Sequence, residues 1–206
     1  MVEYASVSSR PSSPKGKTPL KNKTTGDLKV NKSKKRRSAL YVTRGALIAA
    51  LYATVAYFSA PLQFSFFQFR LSEALCILPI FMPEAIPALF IGCLLANYLS
   101  GCVIWDIIFG SLATLIGAFG ARLLSKLPKK LMFLSTLPTI LANTFIVPFV
   151  IIYAYGGEES YLFFAFTVLI GEIVTAGILG TLLYYQLERY DIFKSGVKLH
   201  NGTKKE

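Results

Sequence analysis

From residue 40 to residue 187 the chain is almost continuously apolar, and that run constrains what it can become more than any motif does. Its segments read as membrane helices. At ~20 residues per crossing, about six helices use most of the run. The fold expected is all-α, a polytopic six-helix membrane bundle with no second folded domain. The balance of 53% hydrophobic and 16% charged residues agrees with that class.

The polar groups inside the run are few and acceptor-rich: Glu73, Asn97, Asp106, Asn143 and Glu172. A carboxylate or amide in hydrocarbon costs free energy unless it has a partner or lines a cavity. Each has a structural alternative. Glu73 follows Ser72 at a probable helix start, where the helix dipole favours an acid. Asp106 is placed in the same way, and Trp105 can be an interfacial anchor. Asn97 and Asn143 can join helices by hydrogen bonds, and Glu84, after Pro83, reads as a cap. Glu172 is hardest to dismiss, because no Lys or Arg is expected in the membrane interior to pair with it. Glu73, Asn97, Trp105, Asp106, Asn143 and Glu172 are therefore the candidate substrate-binding set.

The net charge of +11 belongs to the ends of the chain. Residues 1–39 carry eleven Lys or Arg against Glu3 and Asp27, with many Ser, Thr, Pro and Gly. Such a segment cannot bury a core and is expected to be a disordered cytoplasmic leader. As a positive-inside flank it needs no partner, although its basic run Lys32 to Arg37 could contact anionic lipid. No nucleic acid is expected. Residues 40–190 form the membrane domain and 191–206 a polar cytoplasmic tail.

Crossings are expected at Ala39–Ala60, Leu71–Met82, Glu84–Ser100, Val103–Leu124, Leu131–Tyr155 and Tyr161–Tyr190. The second is short and contains Pro79. With six crossings the cluster Arg122, Lys126, Lys129 and Lys130 lies on the same side as the leader, and Gly156 to Ser160 lies opposite. The positive-inside rule then sets both termini in the cytoplasm, with the polar groups facing one outward cavity.

Several chemistries find no support. Cys76, Cys93 and Cys102 have no metal-ligand spacing and read as small packing residues. The single histidine, His200, lies in the tail. Lys15-Gly16-Lys17-Thr18 looks like the end of a phosphate loop, but Pro11 stands where its first glycine belongs. No catalytic residue, metal or cofactor is expected, and the chain is not read as an enzyme. On the first helix, Ala46, Ala49, Ala50 and Ala53 recur at three- and four-residue spacing and make a flat face. That face packs within the bundle or docks on a partner subunit.

The run Phe69-Arg70-Leu71-Ser72-Glu73-Ala74-Leu75, then Leu78-Pro79 and Ala85-Ile86-Pro87, resembles the QueT family. So do Gly92 to Asn97, Asp106 and Phe109 to Thr114. These are substrate-binding S components of energy-coupling-factor transporters. The resemblance implies six helices, uptake of a 7-deazaguanine queuosine precursor across the plasma membrane, and partners in the form of a transmembrane coupling protein and two ATPases. It also implies docking through Ala46, Ala49, Ala50 and Ala53. Read from the residues alone, a self-sufficient proton- or sodium-coupled transporter and a membrane scaffold remain open. A guanine-like edge presents adjacent N–H donors that a carboxylate can accept, and a flat heterocycle needs an aromatic or apolar slot.

Overall fold

The computed structural model describes residues 25–63 and 67–190, with side chains from residue 38 onward. The chain divides into two units, Met1–Arg37 and Ser38–Glu206. The regular elements are α1 (Thr25–Phe58), α2 (Ala60–Gln63), a 3-10 helix (Leu71–Ile80), α3 (Ala85–Leu99), α4 (Ile104–Leu123), short 3-10 turns, α5 (Leu137–Tyr155), α6 (Tyr161–Glu172), a π-helical segment (Ile173–Leu179) and α7 (Gly180–Arg189). Among the described residues every regular element is helical. The leader expected to be disordered is helical from Thr25 onward, while residues 1–24, His200 and the tail from residue 191 lie outside the described residues.

Among the described residues four helices are long and apolar enough to cross a membrane: Ser38–Phe58, Ile104–Lys126, Lys129–Tyr155 and Tyr161–Arg189. Their ends follow local chemistry. α1 stops at Phe58, just ahead of Pro61. α5 ends at Gly156 in the left-handed region (φ 70°), and the Gly157 N–H closes the turn on the Ile151 carbonyl at 3.1 Å. Ser160 caps α6 by accepting from the Phe163 N–H at 3.3 Å.

The expected second and third crossings are the shorter elements. Leu71–Ile80 is a 3-10 helix of 10 residues, about 20 Å long at ~2.0 Å per residue, against a hydrocarbon core of roughly 30 Å. Its side chains Ser72, Glu73, Leu75, Cys76, Ile77, Leu78 and Pro79 are all buried. Non-α backbone survives at membrane depth when protein encloses it. The last carbonyls of this helix, on Pro79 and Ile80, accept from Arg122 Nη1 on α4 at 3.1 and 3.0 Å. A cation thus satisfies the C-terminal end of a helix buried in the bundle.

The core joins α1, the 3-10 helix and α3 through small and aliphatic groups such as Ala49, Tyr52, Leu75, Ala85, Leu89 and Cys93. Large apolar side chains on the other faces, among them Leu47, Ile91, Phe145 and Leu162, point outward. That inversion suits a protein whose surroundings are lipid. Close approach sets the α4–α5 contact: a Cβ at Gly117 would lie 2.8 Å from the Thr139 Cα. Ala113 and Ala121, one turn to either side, are buried in the same seam.

Candidate functional site

The expected polar residues do not behave as one set, because the structure sorts them by whether the protein already satisfies them. Glu73 stands in the first turn of the 3-10 helix and is fully enclosed. Its Oε1 accepts from Tyr52 OH on α1 at 2.6 Å and from Thr114 Oγ1 on α4 at 2.8 Å. Its Oε2 accepts from Cys76 Sγ at 3.0 Å. The Thr114 hydroxyl also lies 3.1 Å from the Gly110 carbonyl, but its one proton goes to the nearer Glu73 oxygen. Glu73 is therefore a saturated carboxylate that ties three segments together.

Asp106 is also engaged. It occupies the first turn of α4, where the helix dipole favours an acid. Its Oδ2 accepts from Tyr155 OH at the end of α5 at 2.9 Å. Its backbone carbonyl accepts from Asn97 Nδ2 on α3 at 3.3 Å. Asn97 thus serves as a link between α3 and α4.

The remaining groups are buried and unsatisfied. Glu172 is 1% exposed, and among the described residues neither of its oxygens makes a hydrogen bond of good geometry, although the Asn143 side chain is close. Asn143 stands beside it on α5. The Asn143 Nδ2 donates to the Thr139 carbonyl at 3.3 Å, and its Oδ1 is unpartnered. Arg70 is 4% exposed, with Nε and Nη1 unpartnered. Among the described residues no carboxylate forms an ion pair with it. This corrects the expectation of an interior without basic residues. Buried polar atoms in native proteins are nearly always satisfied, so a concentration of orphans calls for a reason.

Of these groups Arg70 lines a cavity of about 230 Å³, while Asn143 and Glu172 do not reach its lining. Gln63, Gln68, Arg70, Asp106 and Tyr155 give it a polar wall, and Val147, Val150 and Ile151 of α5 give it an apolar one. Asn143 lies one helical turn from Val147. Gln68 adopts a positive φ of 49°, a strained choice for a residue with a Cβ, at the cavity wall. Its carbonyl and that of Phe67 press on Gly171, where an added Cβ would collide with the Phe67 oxygen and lie 3.0 Å from the Gln68 oxygen. Glu172 follows immediately, so the 67–70 segment and α6 set its position. The wide π turn begins at the next residue, a deviation common near functional positions.

On the other side, Asn97, Asp106 and Arg70 converge over Gly110. A Cβ there would meet Asn97 Nδ2 at 3.1 Å, Asp106 Oδ1 at 3.2 Å and Arg70 Nη2 at 3.3 Å. The missing side chain leaves space among three polar heads.

Trp105 stands apart from this cluster. It is 56% exposed, stacks on Phe109 with ring centroids 6.0 Å apart, and lines a separate apolar groove with Phe145, Phe149 and Tyr153. The docking alanines divide as well. Ala49 and Ala53 are buried, and a Cβ on Gly92 of α3 would lie 2.9 Å from the Ala49 carbonyl oxygen. Ala46 and Ala50 are exposed. Among the described residues no group of His, Cys, Asp and Glu could hold a metal ion. Sequence reading missed Arg70, Tyr155, Gln63 and Gln68 at the cavity and Tyr52 and Thr114 on Glu73. Only the Arg70-Leu71-Ser72-Glu73 string offered a local signal.

No curated protein and no solved structure matches the chain. The family model for the QueT transporter matches residues 42–189, which takes in every helix of the cluster and the whole cavity wall. With its apolar spans the chain is a multi-pass membrane protein with a transport role, and it belongs to the QueT transporter family.

Proposed function

We propose that the chain is the substrate-binding S component of an ATP-driven energy-coupling-factor importer, and that it captures a 7-deazaguanine queuosine precursor from outside the cell. The observation that carries this reading is a set of unsatisfied buried polar atoms, on Arg70 at a cavity and on Glu172 and Asn143 near Arg70, in a QueT-family chain. Three acceptor oxygens in a dry interior suit a flat heterocycle with adjacent N–H groups, and the aliphatic wall of α5 suits its face.

In this reading the six helical segments cross the plasma membrane with both termini cytoplasmic. The end holding Asp106, Tyr155 and the cavity faces outward, and the end holding Arg122 and Lys129 faces inward. The exposed Ala46 and Ala50 offer the docking face for a transmembrane coupling protein, which two ATPase subunits drive. Ala49 and Ala53 support that face from behind. The basic leader lies along anionic lipid on the cytoplasmic side.

Two measurements test this. Calorimetry on the purified chain should show binding of a 7-deazaguanine, with riboflavin as the control; preference for riboflavin rejects the substrate class. Affinity purification should bring down the coupling protein and both ATPases. Uptake by the chain alone, driven by a proton or sodium gradient, would instead make Glu172 the ion site of a secondary transporter.

A further inference from the structure

Among the described residues Arg70 is the one buried cation lining the cavity, and it forms no ion pair. Nearly all of its surface is enclosed, its Nε and Nη1 are unpartnered, and the side chain lines the cavity. Arginine donates only, and an ionised carboxylate accepts only. The cavity therefore presents orphan donors on Arg70, and the orphan acceptors of Glu172 and Asn143 lie near that guanidinium, behind the lining. We propose that Arg70 is a specificity-determining residue that takes a carbonyl oxygen of the ligand, with the ligand's N–H donors turned to Glu172 and Asn143. The proposal rests on the 7-deazaguanine reading and deepens it. It fixes the 2-amino-4-oxopyrimidine edge as the part recognised, and it fixes which way that edge points.

Charge decides what kind of acceptor Arg70 meets. Three buried carboxylates, Glu73, Asp106 and Glu172, lie within electrostatic reach of this single guanidinium. Asp106 Oδ1 already converges with Arg70 Nη2 over Gly110, so a phosphate or carboxylate on the ligand would meet an acid at the guanidinium. A neutral carbonyl satisfies the donors without adding charge. The convergence of Arg70 Nη2 and Asp106 Oδ1 over Gly110 places the remaining acid next to the guanidinium, on the polar wall of the cavity. A basic substituent on the ligand's five-membered ring is accommodated there.

The test is a cycle crossing one protein change with one ligand change. 7-Deazaguanine and its analogue lacking the oxo group, 2-amino-7-deazapurine, are titrated into the wild-type chain and into Arg70→Gln. A hydrogen bond to a charged group predicts that the wild type prefers the oxo ligand by about tenfold or more. Loss of the oxo group also removes the ring N–H beside it, a cost both proteins share, so in Arg70→Gln the preference should be smaller than in the wild type by about tenfold or more, with the oxo-free analogue binding both proteins alike. Equal preference in both proteins overturns the proposal, since a merely structural Arg70 would weaken both ligands together. Should Arg70→Gln not fold, Arg70→Lys keeps the charge but not the donor geometry, and a reduced preference is again expected. A congener with a carboxylate at position 7 should bind at least about tenfold more weakly than the one with an aminomethyl group; the reverse order overturns the proposal. If the wild type binds no 7-deazaguanine at all, the functional reading fails first and this inference falls with it.

Discussion

Replacing Glu172 by Gln separates a ligand-binding acid from a structural one, because the two roles predict opposite signs. Both Glu172 oxygens are buried and make no hydrogen bond of good geometry. Holding an acceptor in that state costs about 1–3 kcal/mol, more for a charged group. Glu172→Gln keeps the volume and replaces an ionisable oxygen by an amide N–H donor. The new amide stands beside the Asn143 side chain, with which it can hydrogen-bond as donor or acceptor. The ligand-free variant should therefore be more stable than wild type, by roughly 1–2 kcal/mol. Affinity should move the other way. One of two acceptors facing the ligand's N–H groups becomes a donor, which costs about 2–3 kcal/mol, or roughly thirtyfold or more in Kd. Thermal melting of detergent-purified protein reads the first effect and calorimetry with a 7-deazaguanine reads the second. A variant less stable than wild type with unchanged affinity would show that Glu172 holds the fold through a partner, and the site assignment would fall.

Glu73→Gln should behave in the opposite manner. It disturbs three donor contacts, from Tyr52, Thr114 and Cys76, and should lower stability by about 2–4 kcal/mol; Tyr52→Phe should lower it by about 1–3 kcal/mol, read by the same melts. Gly171→Ala drives a methyl into the carbonyls of Phe67 and Gln68, and the displaced segment should cost about 1–3 kcal/mol of stability and weaken ligand binding in calorimetry. Ala50→Leu, on the exposed face of α1, should abolish co-purification of the ATPase subunits while ligand affinity stays within about twofold of wild type. Ala49→Leu lies at the α1–α3 contact and should lower the melting temperature instead, by roughly 1–3 kcal/mol of overpacking.

Helix positions were legible because hydrophobic runs and their breakers are local. The helix expected to end at Pro61 ends at Phe58, and the one expected to end at Tyr155 ends there, on Gly156. The backbone form of Leu71–Ile80 was not legible. A ten-residue apolar stretch with Pro79 reads only as a short crossing, and its 3-10 geometry depends on enclosure by other helices and on Arg122, 42 and 43 positions away from the carbonyls it holds. The polar residues show the same limit. Sequence marks Glu73, Asp106 and Glu172 as expensive, but which of them is satisfied depends on Tyr52, Thr114 and Tyr155, at separations of 21, 41 and 49 residues. Trp105 looked like a stacking platform by residue type, yet the register of α4 turns its indole toward the outer surface. The alanine face of α1 was visible as a face, but its division into Ala49 and Ala53 inside and Ala46 and Ala50 outside needed the position of Gly92.

The division between satisfied and unsatisfied groups has an energetic consequence for the whole bundle. Glu73 and Asp106 join α1, the 3-10 helix, α3, α4 and the end of α5 through donors that the protein supplies, so these contacts stabilise the ligand-free state. Arg70, Asn143 and Glu172 oppose them, since each orphan raises the free energy of the same state. The stretch leading into the 3-10 helix and α5 line the cavity, and the α6–π junction packs on that stretch at Gly171. A ligand that satisfies all three returns that free energy as affinity and draws those segments together. Occupancy should therefore stabilise the chain by about 2.7 kcal/mol at a hundred times Kd from mass action alone. The gain should appear first as hydrogen-exchange protection in the 67–70 segment and around Gly171, where loop and helix press most closely. Protection confined to α3 and α4, with none at Gly171, would place the ligand away from Glu172 and would break the link between the orphan groups and binding.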